Sequence, residues 1–198
     1  TVFKKPNIGI LVTGNELVKP GNALEYGKVF ESNSIMLQAA LLNANFDAIT
    51  TYEVNDDFSN TKNSIETALQ ENDILLISGG ISVGDYDFVK SALEELKVET
   101  LFYKVNQKPG KPLLAGKIQD KLIFALPGNP AAALSCFYVY VYIALQKMMN
   151  RNILELPRIE AKSTSHFEKK GEQQEEREFL SKNELRILSI LSDCFLDI

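Results

Sequence analysis

Short apolar runs alternate with amphipathic stretches over the first 150 residues. Residues 8–12 (IGILV) form a continuous apolar run closed by Thr13-Gly14-Asn15-Glu16, which predicts a short buried strand and its turn. A turn-rich stretch at 18–28 carries Pro20, Gly21 and Gly27. Ser32 or Asn33 then caps a helix whose apolar face is expected at Ile35, Ala39 and Leu42. Residues 48–54 (AITTYEV) are rich in β-branched side chains and predict a strand ending at Asn55-Asp56-Asp57. Ser59 can cap a second helix, with Asp56 or Asp57 able to help, and Ile65, Ala68 and Leu69 form its apolar face. Residues 73–78 (DILLIS) predict a strand stopped by Gly79-Gly80, and 86–97 place Val89, Ala92, Leu93 and Leu96 at helical spacing. Two further strands are expected at 100–106 and 122–126, joined across Lys108-Pro109-Gly110-Lys111-Pro112. A final helix, 130–149, is apolar at 134, 137, 138, 141, 145 and 148 and nearly all round, which predicts deep burial.

Strands alternating with helices in this rhythm imply βαβ units. The expected fold is α/β, a mostly parallel sheet with helices on both faces, in a domain at 1–150. The composition shifts near Arg151. Residues 154–161 read as a connector, and strand-like pieces follow at 158–163, 177–181, 185–191 and 194–198. The charged run Glu168–Glu178 reads as a solvated face. Residues 151–198 are therefore expected to be a connector and an incomplete β domain. Thr1 as first residue, and Ile198 inside an apolar run, suggest a piece of a longer protein.

Charge and composition remove several classes of function. Of 198 residues, 45% are hydrophobic and 24% charged, enough for a core and unlike a disordered chain. The net charge is -5, and neither 1–150 nor 151–198 is basic, which argues against a nucleic-acid partner. The longest apolar stretch, 131–149, is interrupted by Ser135, Gln146 and Lys147 and argues against a membrane span. No secretory signal opens the sequence. Cys136 and Cys194 give neither a disulfide framework nor zinc spacing and read as small hydrophobes, so a reduced, cytoplasmic setting is expected.

The candidate chemistry is positional. Thr13–Glu16, Asp56–Asp57, Ser78–Asp87 and Leu126–Pro130 each follow a predicted strand, so a parallel sheet brings all four to one edge, where open α/β sheets bind ligands. The loop Ser78-Gly79-Gly80-Ile81-Ser82-Val83-Gly84 is open to a close-lying anion, with a tight turn as the other reading. Glu16, Asp56, Asp85 and Asp87 are hard oxygen ligands suited to Mg²⁺ beside phosphate, or else caps and solvated acids. Two Pro-Gly-x-Pro segments make rigid, shaped loops, and Lys108 and Lys111 add positive charge at the first of them. His166, the one histidine, lies outside this edge and reads as a surface residue. A Ser-His-Asp or Cys-His site is therefore disfavoured.

Thr13-Gly14-Asn15-Glu16-Leu17, Glu31-Ser32-Asn33, Asp56-Asp57, Ser78 to Asp87, Lys108-Pro109-Gly110-Lys111-Pro112 and Leu126-Pro127-Gly128-Asn129-Pro130 stand in the order and spacing of one family. Over residues 7–150 the chain resembles the molybdopterin molybdenumtransferases of the MoeA and gephyrin E-domain type. The resemblance implies Mg²⁺-dependent cleavage of adenylylated molybdopterin and insertion of molybdenum from molybdate, with release of AMP. It puts Glu16, Asp56 and Asp87 at the family's functional acids, as catalytic and Mg²⁺-holding residues. Pro127 and Pro130 fall at its functional prolines near molybdate. Thr13, Gly14, Ser78, Gly79, Gly80, Ser82, Gly84, Lys108, Lys111, Gly128 and Asn129 join those prolines as substrate-binding positions. It also implies a homodimer in the full-length protein and contact with the molybdopterin adenylyltransferase.

Asn15 stands where the family often has aspartate, and Asn45 where it often has glycine. The family's two N-terminal domains, which help to complete its site across a dimer, are not in this sequence. Two alternatives share the fold. Adenylylation of molybdopterin by ATP usually carries S-G-G-T-G, which Ile81-Ser82-Val83 argues against. A non-catalytic scaffold or peptide-binding module would not need Glu16, Asp56 and Asp87 together.

Overall fold

The computed structural model describes residues 3–80 and 88–151. The expected β domain within 151–198 lies outside these, as do Ser82, Gly84, Asp85, Asp87 and His166. Six strands form one sheet in the order β4-β1-β5-β8-β7-β6. They are β1 (Ile8–Thr13), β4 (Ile49–Val54), β5 (Ile74–Ser78), β6 (Glu99–Tyr103), β7 (Leu114–Ile118) and β8 (Lys121–Leu126). Strands β4, β1, β5 and β8 run parallel, whereas β7 is antiparallel to both β8 and β6. The mostly parallel α/β fold expected from the sequence is the one observed.

Period-2 alternation divides the apolar strand residues between two cores. Ile8, Ile10, Ile74, Leu76, Leu122, Phe124 and Leu126 pack on one face with α1 (Asn33–Asn43) and the C-terminal helix. Leu11, Leu75, Ile77, Ile123 and Ala125 pack on the other with α2 (Phe58–Glu71) and α3 (Phe88–Glu95). The C-terminal helix runs as α4 (Pro130–Cys136), a π-helical turn (Phe137–Val141) and α5 (Tyr142–Met148). Pro130–Met148 is long and apolar enough to cross a membrane by length and composition, and 56% of that stretch is buried inside the fold. Phe137, Tyr140, Val141, Ala144 and Leu145 cover the sheet there.

Four local expectations need correction. The stripe facing the sheet from α1 is Asn33, Leu37, Ala40 and Leu41, while Ile35 and Leu42 are each 55% exposed. Apolar residues surround this helix, so periodicity alone does not select a stripe. Asn33, on the buried stripe, bonds Ser78 at the end of β5 and Gly128 in the loop after β8. The cap of α2 is Asp57, whose carboxylate accepts from Asn60 N at 2.8 Å, in place of Ser59. The turn-rich 18–28 stretch lies between two short parallel strands, β2 (Leu17–Val18) and β3 (Val29–Phe30). Strand β7 was not expected at all. It is short, it follows Pro112, and it contains Gly116, where a β-carbon would meet Val98 Cγ1 at 2.6 Å.

Candidate functional site

Loops 14–16, 55–57, 79–80 and 127–129 leave the C-terminal ends of β1, β4, β5 and β8, and parallel pairing puts all four ends on one edge. Antiparallel β7 turns the chain round once more, so β6 also ends on this edge, and the 104–113 connection joins the same rim. The chain leaves β1 for α1 on one face and β5 for α3 on the other. Adjacent strands whose connections diverge in this way open a crevice between their ends.

Thr13 and the glycine turn form that crevice. Thr13 is buried, and its hydroxyl donates to Asp56 Oδ1 at 3.0 Å. Asp56 Oδ2 accepts from Asn15 N at 3.1 Å, while Asp56 N donates to Asn15 Oδ1 at 3.0 Å. The amide of Asn15 thus makes a reciprocal clasp with Asp56, so the side chain that departs from the family's aspartate has a structural task. Across the crevice, a β-carbon on Gly79 would stand 2.2 Å from Thr13 O, and Gly79 has φ +90°. Gly80, at φ +64°, would place one 2.6 Å from Val89 Cγ2 and 2.8 Å from Thr13 Oγ1. Both positions require glycine, because the space a β-carbon would take is already filled by Thr13 and Val89.

The Pro127–Pro130 loop borders the glycine turn. Pro127 is buried, and Gly128 O accepts from Asn33 Nδ2 at 2.8 Å. Asn129 caps α4, its side-chain oxygen accepting from Ala132 N at 3.1 Å, and Pro130 occupies the first helical turn, where no N–H is needed. This loop is shaped by a helix start as well as by its prolines.

Lys108 and Lys111 are exposed on the 104–113 connection. That loop is held from below. Tyr140 OH donates to Gln107 Oε1 at 2.6 Å, and Gln107 Nε2 donates to Gly110 O at 3.2 Å and to Cys136 Sγ at 3.2 Å. Burial pushes the Cys136 thiol up from its ordinary value to about 11, against a smaller opposing effect of the Gln107 hydrogen bond. In the strand order the acids stand at the β4–β1 side of the rim and the lysines on the β6–β7 connection at the other side.

Glu16 is exposed beside Thr13–Asn15, on the same rim as Asp56. Among the described residues no group of three or more His, Cys, Asp or Glu gathers to hold a metal. Asp56 accepts one hydrogen bond on each carboxylate oxygen, whereas the Glu16 side chain is exposed. The sequence marks Asn33 only as a possible cap and as part of a motif, and singles out neither Gln107 nor Tyr140. For Asn33 the signal was available: position 33 shares a helical stripe with 37, 40 and 41, and a polar residue on a buried stripe needs a partner.

Residues 9–147 match the family model described as a probable molybdopterin binding domain of the MoCF_biosynth type. The chain belongs to this family. The molybdenum cofactor synthesis protein cinnamon of Drosophila melanogaster is 40% identical over 145 residues, 73% of this chain and 24% of that protein. The molybdopterin molybdenumtransferase of Bacillus subtilis is 34% identical over 145 residues, 73% of this chain and 34% of that protein. The family member therefore spans about a quarter to a third of the length of these curated relatives. A crystal structure of the molybdopterin biosynthesis MoeA protein from Pyrococcus horikoshii matches with a TM-score of 0.65 at 33% identity, over 74% of this chain and 36% of that one. Molybdenum cofactor biosynthesis protein B matches with a TM-score of 0.56 at 14% identity, over 76% of this chain and 97% of that one, which shows a shared fold.

Proposed function

We propose that the rim binds adenylylated molybdopterin, and that the protein inserts molybdenum from molybdate and releases AMP. The observation that carries this reading is the meeting of Asp56, Thr13 and the Gly79-Gly80 turn at one crevice. Cleaving a phosphate–AMP linkage needs stabilisation of charge on phosphoryl oxygens more than it needs a protein nucleophile. The Gly79-Gly80 turn is the element that would take the phosphate. Asp56 is held rigid by Thr13 and Asn15, and Glu16 is open to solvent beside it. These two acids would hold Mg²⁺, which supplies Lewis-acid charge next to the phosphates. Lys108 and Lys111 offer cations to an oxyanion such as molybdate at the far end of the rim. The relatives named molybdopterin molybdenumtransferase support the same chemistry.

The test supplies adenylylated molybdopterin with and without molybdate and follows AMP. Molybdate-dependent release that Asp56→Ala abolishes is the expected result. Formation of adenylylated product from ATP and molybdopterin, with no molybdate-dependent release, would assign the sister activity instead. Binding that Asp56→Ala leaves unchanged, with no turnover, would favour a scaffold. A homodimer, contact with the adenylyltransferase and a cytoplasmic location belong to the same proposal; light scattering and co-purification test the first two. The buried free thiol of Cys136 is consistent with a reducing compartment.

A further inference from the structure

Asn33 is the point at which three elements meet. It stands in the first turn of α1 and is 8% exposed. Its Nδ2 donates to Ser78 Oγ at 2.7 Å, at the end of β5, and to Gly128 O at 2.8 Å, in the loop after β8. A carbonyl oxygen can only accept, so Gly128 O fixes which way the carboxamide faces. The other end, Oδ1, is then buried with no hydrogen-bond partner among the described residues.

That orphaned oxygen is informative. A buried acceptor left unmade opposes folding, so the amide is a poor choice for stability alone. What it provides is two donors on one nitrogen, one for each loop beside the crevice. We propose that Asn33 is a positioning residue: it sets the gap between the Gly79-Gly80 turn and the Pro127–Pro130 loop, and through that gap it tunes the affinity of the rim for its phosphate-bearing ligand. This rests on the reading of the rim as a site for adenylylated molybdopterin. It differs from a capping role, because the Ser34 N–H in the same turn is already taken by Glu31 Oε1 at 2.8 Å.

The test measures binding of adenylylated molybdopterin to the full chain, with thermal stability followed in parallel. Asn33→Ala removes both donors and also removes the orphaned acceptor. Its melting temperature should stay close to wild type while the Kd rises about tenfold to a hundredfold, the usual penalty for a misplaced binding element. Asn33→Asp keeps the shape but loses both donors, and it should bind weakly at neutral pH. Protonation of the acid restores one donor, so its Kd should approach the wild-type value measured at the same acid pH. Asn33→Ala and Ser78→Ala should combine to less than the sum of their separate effects on binding. Wild-type affinity in both Asn33 variants, or weakening that merely tracks a loss of folded protein, would overturn the inference while leaving the functional reading intact. Failure of the wild-type chain to bind the probe would overturn both.

Discussion

The hydroxyl of Thr13 donates to Oδ1 of Asp56 at 3.0 Å, joining the ends of β1 and β4 across 43 residues of sequence. With the Asn15 N–H on Oδ2, the carboxylate faces two donors and needs an acceptor on each oxygen. Asp56→Asn offers one acceptor and turns an NH₂ group towards the other donor. A loss of about 1–2 kcal/mol in stability by chemical denaturation is expected. Molybdate-dependent AMP release should fall by at least about a hundredfold, the scale seen when one charge-stabilising group is removed from a site. Thr13→Val removes the bond and keeps the acid, so it should cost similar stability and much less turnover.

Gly79 and Gly128 face each other across the rim but differ in tolerance. Gly79→Ala would force a β-carbon to 2.2 Å from a backbone oxygen at φ +90°, and backbone cannot swing aside as a side chain can. The expected loss is about 2 kcal/mol or more in thermal or urea unfolding. A β-carbon at Gly128 would meet nothing closer than Gly79 Cα at 4.0 Å. Gly128→Ala should stay within about 0.5 kcal/mol of wild type.

Asp57 holds the start of α2 through its bond from Asn60 N. Asp57→Ala should lower stability by about 1 kcal/mol, and Asp57→Ser should recover most of that. Ser59 already lies inside the helix, so Ser59→Ala should be nearly neutral. Equal losses at 57 and 59 in denaturation curves would contradict this assignment of the cap.

Cys136 makes stability depend on pH in the alkaline range. Its folded value, raised to about 11 from an ordinary 9.0, means the native state holds the thiol proton more tightly than the unfolded chain does. The resulting stabilisation is complete below pH 9 and is lost as pH rises towards 11. Denaturation of wild type and Cys136→Ala from pH 8 to 11 should show the wild type losing the larger share. At pH 8 the native thiol at 136 should resist alkylating reagents until the protein unfolds.

The layered α/β architecture was legible in the sequence because burial on both faces writes itself as uninterrupted apolar runs. IGILV, ILLIS and LIFAL could hardly be anything but central strands once turns and helices separated them. The same rhythm placed the Thr13, Asp56, Ser78 and Pro127 loops on one edge, since parallel strands share their C-terminal ends. Strand β7 escaped because five residues with a glycine carry too weak a pattern, and its partner strands, not its own residues, hold it in the sheet. The rotation of α1 escaped because apolar residues lie on more than one side of it, and the polar Asn33 on its buried stripe finds partners, Ser78 and Gly128, only 45 and 95 residues away. Local composition determined which segments become strands, helices and turns, and the residue types able to hold an anion. Only the tertiary fold decided which of those groups touch: that Asn15 clasps Asp56, that Thr13 O demands a glycine at 79, and that the lysines stand across the rim from the acids. Such contacts join groups distant in sequence, and their distances are fixed by how the strands order themselves in the sheet, which no local pattern encodes.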